Sequence, residues 1–164
     1  MYKRQVNDGG VYLEENGVVA INAVSALENS VSANTAPVKY KDNTYEWVKF
    51  NGYYEGVTLS PDSPYGSEFN WSDKSSYYEA PALNYTVNFV TSGLYELYVL
   101  TSYPDVRGDS FHITLDGKQP MTACQLDSKA LVYGGVTWIH YDSAAIEISE
   151  PGEHTITISG REDG

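Results

Sequence analysis

The stretch from residue 82 to 90, ALNYTVNFV, decides the fold. It alternates strictly, with Tyr85, Val87 and Phe89 on one side and Asn84, Thr86 and Asn88 on the other. A period of two with one apolar face is the pattern of a half-buried strand. The same alternation returns at 110–117, SFHITLDG, where Phe111, Ile113 and Leu115 point inward and His112 and Thr114 outward. It returns again at 154–160, HTITISG, with Ile156 and Ile158 opposite Thr155 and Thr157.

Further strands are expected at 17–23 (GVVAINA), 45–50 (YEWVKF), 94–103 (LYELYVLTSY), 136–142 (VTWIHYD) and 145–149 (AIEIS). The separators TSG, LDGK, YGG and SEPGEH are turn sequences built on Gly, Pro and Asp. Short strands at short intervals predict an all-β antiparallel sandwich and not βαβ units. One weak helical stretch, 23–33, and one long polar and aromatic loop, 59–81, complete the chain. With no repeat or linker, residues 1–164 read as one domain.

Of the aromatic residues, 15 are Tyr against 4 Phe and 3 Trp. Tyr has an apolar body and a polar tip, so this bias suits a β protein with aromatic surface. The formal net charge is −12, which repels phosphate backbones and anionic headgroups. Nucleic acid and membrane are therefore not expected partners. No apolar run reaches the ~20 residues of a membrane helix. Residues 1–10, MYKRQVNDGG, lack the basic-then-apolar order of a secretion signal.

Catalytic patterns are weak. The carboxylate pairs Glu14/Glu15, Asp105/Asp109 and Glu162/Asp163 all lie near turns, and 22 acids make such pairs common by chance. His112, His140 and His154 have no spacing that couples them around zinc. Cys124 is the single cysteine, so no internal disulfide forms, and a structural role is expected of it. There is no G-x-S-x-G elbow and no phosphate loop. The expectation is a protein without catalysis.

The run 81–118, PALNYTVNFVTSGLYELYVLTSYPDVRGDSFHITLDGK, holds F-x-T-x-G-x-Y and then GDSFHITLDG. Trp138 follows, and then PGEHTITISGREDG at 151–164. This order resembles the galactose-binding-like jelly rolls of glycan-degrading enzymes, the group holding carbohydrate-binding module families 6 and 35. It is most similar to the C-terminal domain of family 115 glycoside hydrolases, whose opening is echoed by ENGVVAINA at 15–23. The resemblance covers about residues 12–164. It implies a non-catalytic, carbohydrate-binding accessory module of an extracellular or periplasmic enzyme. Its expected partners are a plant-type polysaccharide and a catalytic domain in the same polypeptide.

A sugar offers apolar C–H faces ringed by hydroxyls, so it calls for exposed aromatic faces and planar hydrogen-bonding groups. Carried over by position, the resemblance implies a binding set of Tyr103, Asp105, Arg107, Asp109, Trp138, Glu162 and Asp163. Two roles stay open for Trp138, a stacking face or a core ring. Two also stay open for Arg161 and Asp163, ligand contact or a lock on each other or on a neighbouring turn. Trp47 is expected in the core, and Trp71 is either an anchor of its long loop or, with Tyr77 and Tyr78, a second platform. His154 is expected to cap or pack its turn.

The pattern is departed from twice. Related modules continue past REDG into a further strand, so the module is expected to be cut short there or completed by another strand. They also hold a structural calcium with acids where this chain has Ile21, Asn22, Ala23 and Val24. Hence the cofactor expectation is none, or one calcium with Asn22 as its remaining ligand. A structural or dimerisation domain of a larger glycoside hydrolase is the competing function. A large exposed apolar patch favours that alternative, and a narrow aromatic and polar cleft favours sugar.

Overall fold

A computed structural model describes residues 10–28, 33–51, 54–61, 78–102, 108, 110–118, 121–124, 135–141 and 144–162. The elements run in order β1 (Tyr12–Leu13), α1 (Ser25–Glu28), β2 (Ala33–Asn34), β3 (Val38–Tyr40), β4 (Asn43–Asn51) and β5 (Glu55–Ser60). They continue with β6 (Ala82–Phe89), β7 (Gly93–Tyr95), β8 (Tyr98–Thr101), β9 (Ser110–Leu115), β10 (Met121–Cys124), β11 (Thr137–His140), β12 (Ile146–Ile148) and β13 (Gly152–Gly160). The protein is all-β, as the alternation requires.

The main sheet has the order β1-β6-β13-β9-β10, with β2 also on β6. Its pairs are antiparallel except the short parallel contact of β1 with β6. Register places Tyr85 opposite Ile156 and Ile156 opposite Leu115, so the predicted apolar residues of three strands share one face. That face packs on Ile139, Tyr141, Ile146 and Ile148 of the second layer, in one core cluster. A separate meander, β3-β4-β5, carries a small core of Tyr45, Leu59 and Ala80. Trp47 joins the two clusters and donates its indole N–H to Pro81 O at 3.0 Å, the core position expected of it.

Several sequence expectations need correction. Residues 17–23 form no strand. Asn16 and Gly17 sit at φ 54° and 78° in a two-residue turn, closed by Glu15 N to Val18 O at 2.9 Å. Asn22 then turns the chain into α1, accepting Val24 N on its side chain at 3.2 Å and Ser25 N on its backbone at 3.0 Å. The described helix spans Ser25–Glu28, inside the stretch expected to be helical. The strand expected at 94–103 is split into β7 and β8. β7 pairs with β12 and β8 with β11, in two separate ladders. His112 and Thr114 do face away from Ile113, yet both are fully buried. The segment expected as loop from 59 begins inside β5, and residues 62–77, with Trp71 and Tyr77, lie outside the described residues.

One buried charge fastens this arrangement. Glu14 is 5% exposed. Its Oε2 accepts the amides of Val90 and Thr91, both at 2.8 Å, and lies 3.0 Å from Thr91 Oγ1 and 2.8 Å from Tyr95 Oη. Its Oε1 accepts Gly17 N at 3.0 Å. Burial alone pushes this carboxyl upward. The donors from Thr91, Tyr95 and Val90 outweigh burial and bring it down to about 2. Glu14 is thus spent on fastening the structure.

The Asp116–Gly117 turn is held similarly. Asp116 accepts Thr155 N at 2.8 Å, and its other oxygen lies 2.7 Å from His154 Nδ1. His154 Nε2 lies 2.9 Å from Glu150 O, so the ring packs the turn as expected. The Asp116 bond raises the His154 pKa above its ordinary value. For Asp116, burial pushes up, but the bonds from His154 and Thr155 win and lower it.

Two outcomes follow for stability. Glu14→Gln costs about 3 kcal/mol at neutral pH, measured by urea unfolding. A depressed carboxyl contributes above its unfolded value and loses that contribution as pH falls, so the deficit closes between 4.5 and about 2. His154→Ala has the opposite profile at the basic side. A raised imidazole contributes below its unfolded value and loses that contribution as pH rises through the folded one. Thermal unfolding should show a larger deficit at about pH 5.5 than at about pH 9.

Candidate functional site

Alternation on the second layer sets which side chains reach solvent. In β11, Ile139 enters the core while Trp138 and His140 turn outward. In β8, Val99 turns inward while Tyr98 and Leu100 turn outward. The ladder pairs Trp138 with Leu100 and His140 with Tyr98. Trp138 and Tyr98 are therefore diagonal neighbours on one face, within reach of aromatic side chains. They are 64% and 54% exposed. The Tyr98 ring stacks on His140 with centroids 4.5 Å apart at 12°. Tyr98 donates its hydroxyl to Glu96 Oε2 at 3.2 Å, and His140 Nε2 lies 3.6 Å from the same oxygen. The result is an aromatic platform with a carboxylate and an imidazole at one end.

The platform belongs to the rim of a larger cleft of about 1850 Å³. Its walls come from residues 17–23, the end of the β4–β5 hairpin, and residues 91–102. Its floor is the inner face of the main sheet at Leu83, Tyr85, Ile156 and Ile158. Among the described residues, eleven large apolar side chains are exposed, and nine of them line this cleft. Phe50, Tyr54, Leu94, Leu100 and Val136 are among the nine. The volume exceeds the ~300–1,000 Å³ of small-molecule pockets, so the cleft suits a polymer or a segment of chain.

The positions expected to bind divide sharply. Tyr103, Asp105, Arg107, Asp109 and Asp163 lie outside the described residues. Trp138 is on the exposed face, which decides between its two roles in favour of surface. Glu162 lines the cleft, but its carboxylate is engaged. Ser110 donates to Glu162 Oε2 at 2.5 Å, and Arg161 donates to Glu162 Oε1 at 2.6 Å and also to Ser110 Oγ. Arg161 is therefore paired with Glu162 in a lock that ties the end of β13 to the start of β9. Tyr98, Glu96 and His140 were not among the expected site residues. The alternation of Tyr98 and Leu100 against Val99 carried the signal, yet both faces of that strand are apolar, so the pattern could not tell outside from inside.

Among the described residues, no group of three His, Cys, Asp or Glu is placed to hold a metal. In the stretch 21–24, Asn22 Oδ1 accepts Val24 N at 3.2 Å and Val24 is buried. No family model matches the chain, and no curated protein shows significant similarity to it.

The Arg161 lock gives a test. Arg161→Met leaves the Glu162 charge with Ser110 alone beneath it. It should lower stability by about 1–3 kcal/mol in urea unfolding, because a partly buried charged bond is broken from one side.

Proposed function

We propose that this domain is a non-catalytic carbohydrate-binding module, accessory to a secreted glycoside hydrolase that acts on plant-type polysaccharide. The observation that carries the reading is the exposed Trp138–Tyr98 platform with Glu96 and His140 at its end. A pyranose lays its C–H face on the rings, and its equatorial hydroxyls meet the carboxylate and the imidazole. The order of motifs from F-x-T-x-G-x-Y to REDG supports the same class. A net charge of −12 favours neutral chains over anionic pectin. The open platform leaves much of a bound sugar in water, so affinity is weak.

The test is affinity electrophoresis of the protein through gels containing xylan, β-glucan, mannan, pectin or galactan, with and without a chelator. Retardation is expected on one neutral polysaccharide. It should fall at least tenfold in apparent affinity with Trp138→Ala and with Tyr98→Ala. Loss of retardation on chelation would add a calcium to the site. Absence of retardation on every polysaccharide would reject the reading.

A second reading has its own observation. Nine exposed apolar side chains along one cleft make the kind of surface that packs against another domain. On that reading the domain is a structural or dimerisation piece of a larger glycoside hydrolase, and the platform is part of an interface.

A further inference from the structure

The turn that supplies a donor to the buried Glu14 also holds a reactive pair of residues. Glu15 to Val18 are exposed, and Asn16 and Gly17 occupy the two loop positions at φ 54° and 78°. An asparagine followed by glycine carries an electrophile and a nucleophile side by side. The side-chain Cγ of the first and the backbone nitrogen of the second can close into a cyclic imide. A side chain at the second position would crowd that nitrogen; Gly17 has none, and nothing lies within 4 Å of where a Cβ would stand. Water reaches both residues, since both are exposed. One contact opposes the ring closure. The Gly17 N–H must give up its proton, and it is donated to Glu14 Oε1 at 3.0 Å. Glu14 is charged at neutral pH, so negative charge forming on that nitrogen is repelled by the carboxylate.

We infer that Asn16–Gly17 is a self-modification site guarded by Glu14. When the Gly17–Glu14 bond opens, Gly17 N attacks Asn16 Cγ. The N–Cγ bond forms, the Cγ–Nδ2 bond breaks, and the Gly17 amide proton leaves with Nδ2 as ammonia. The imide then takes up one water. Opening at the Asn16 backbone carbonyl leaves the main chain running through Cβ and Cγ, an isoaspartate; opening at Cγ leaves an ordinary aspartate. Either product places a new carboxylate beside Glu14 and Glu15, in a chain whose net charge is already −12. The isoaspartate also lengthens the turn by a methylene, which moves Gly17 N–H away from Oε1. Modification therefore weakens the contact that had prevented it. Gly17 and Val18 line the cleft, so the new charge arrives on the cleft wall. The inference does not depend on the sugar platform.

The test holds the whole chain for weeks in mildly basic buffer. The product is located by peptide mass spectrometry and by methyl transfer from S-adenosylmethionine with an isoaspartyl methyltransferase. Isoaspartate should accumulate slowly at Asn16, and at least tenfold faster in urea, where opening no longer limits the rate. Glu14→Gln should raise the rate in native buffer at least fivefold. Tyr95→Phe removes one donor from the same carboxylate and should raise it at least twofold, which keeps the comparison open if Glu14→Gln does not fold. Arg161→Met destabilises the protein away from this turn and should leave the rate unchanged. Asn16→Gly keeps a residue suited to positive φ and should give no product at this position. Absence of isoaspartate and aspartate at Asn16 in the wild type and in both corner variants would overturn the inference. So would a rate that neither Glu14→Gln nor Tyr95→Phe moves, or one that Arg161→Met raises equally, which would make global unfolding the gate.

Discussion

A buried carboxylate is tolerated only when its oxygens are fully supplied with donors, and Glu14 meets that condition with groups from three places in the chain. Gly17 comes from the N-terminal turn, Val90 and Thr91 from the exit of β6, and Tyr95 from β7. These are the points where the chain leaves the main sheet and enters the second layer. Fixing them fixes the direction in which β7 and β8 run. The Phe89 and Tyr95 rings, 4.9 Å apart, close the corner from the apolar side. The position of the Trp138–Tyr98 platform is thus inherited from a charge well away from it in sequence.

The cleft follows from unequal layers. The main sheet offers a broad apolar face built from β6, β13 and β9. Opposite it stand two two-stranded ladders, β7–β12 and β8–β11, and the β3-β4-β5 meander, which share no pairing among the described residues. Nine of the eleven large apolar side chains exposed among the described residues gather along the cleft beside these pieces. The Tyr-rich composition fits both sides of this geometry. Tyr85 is buried and donates its hydroxyl to Ala23 O, and burial raises its pKa. Tyr54 and Tyr98 expose the same ring to solvent at the cleft.

The main sheet was legible because its alternation has a polar side. Asn84 and Thr157 sit across the ladder from each other and bond at 2.7 Å, so the outer face declares itself. The second layer was less legible. In β8 and β11 both faces carry apolar residues, and only packing against the main sheet reveals that Val99 and Ile139 go in. Residues 17–23 misled for the opposite reason. Their β-branched content is real, but a strand needs a neighbour, and Asn16–Gly17 and Asn22 impose turns at both ends. The short β1 and β3 gave no signal, being too brief for any period. Of the candidate site, Trp138 was legible as a residue but not as a surface. Glu162 was legible as an acid, but its lock with Ser110 and Arg161 depends on β9 and β13 being neighbours.

A pyranose asks for ring faces and a few planar polar groups, and on the proposed reading the outer face of β8 and β11 offers them at Tyr98, Trp138 and Glu96. The same two strands send Val99 and Ile139 into the core, so the platform is held by packing on its reverse side. A substitution that loosens Ile139 therefore displaces Trp138 and His140 with it, because alternation ties the two faces of one strand together.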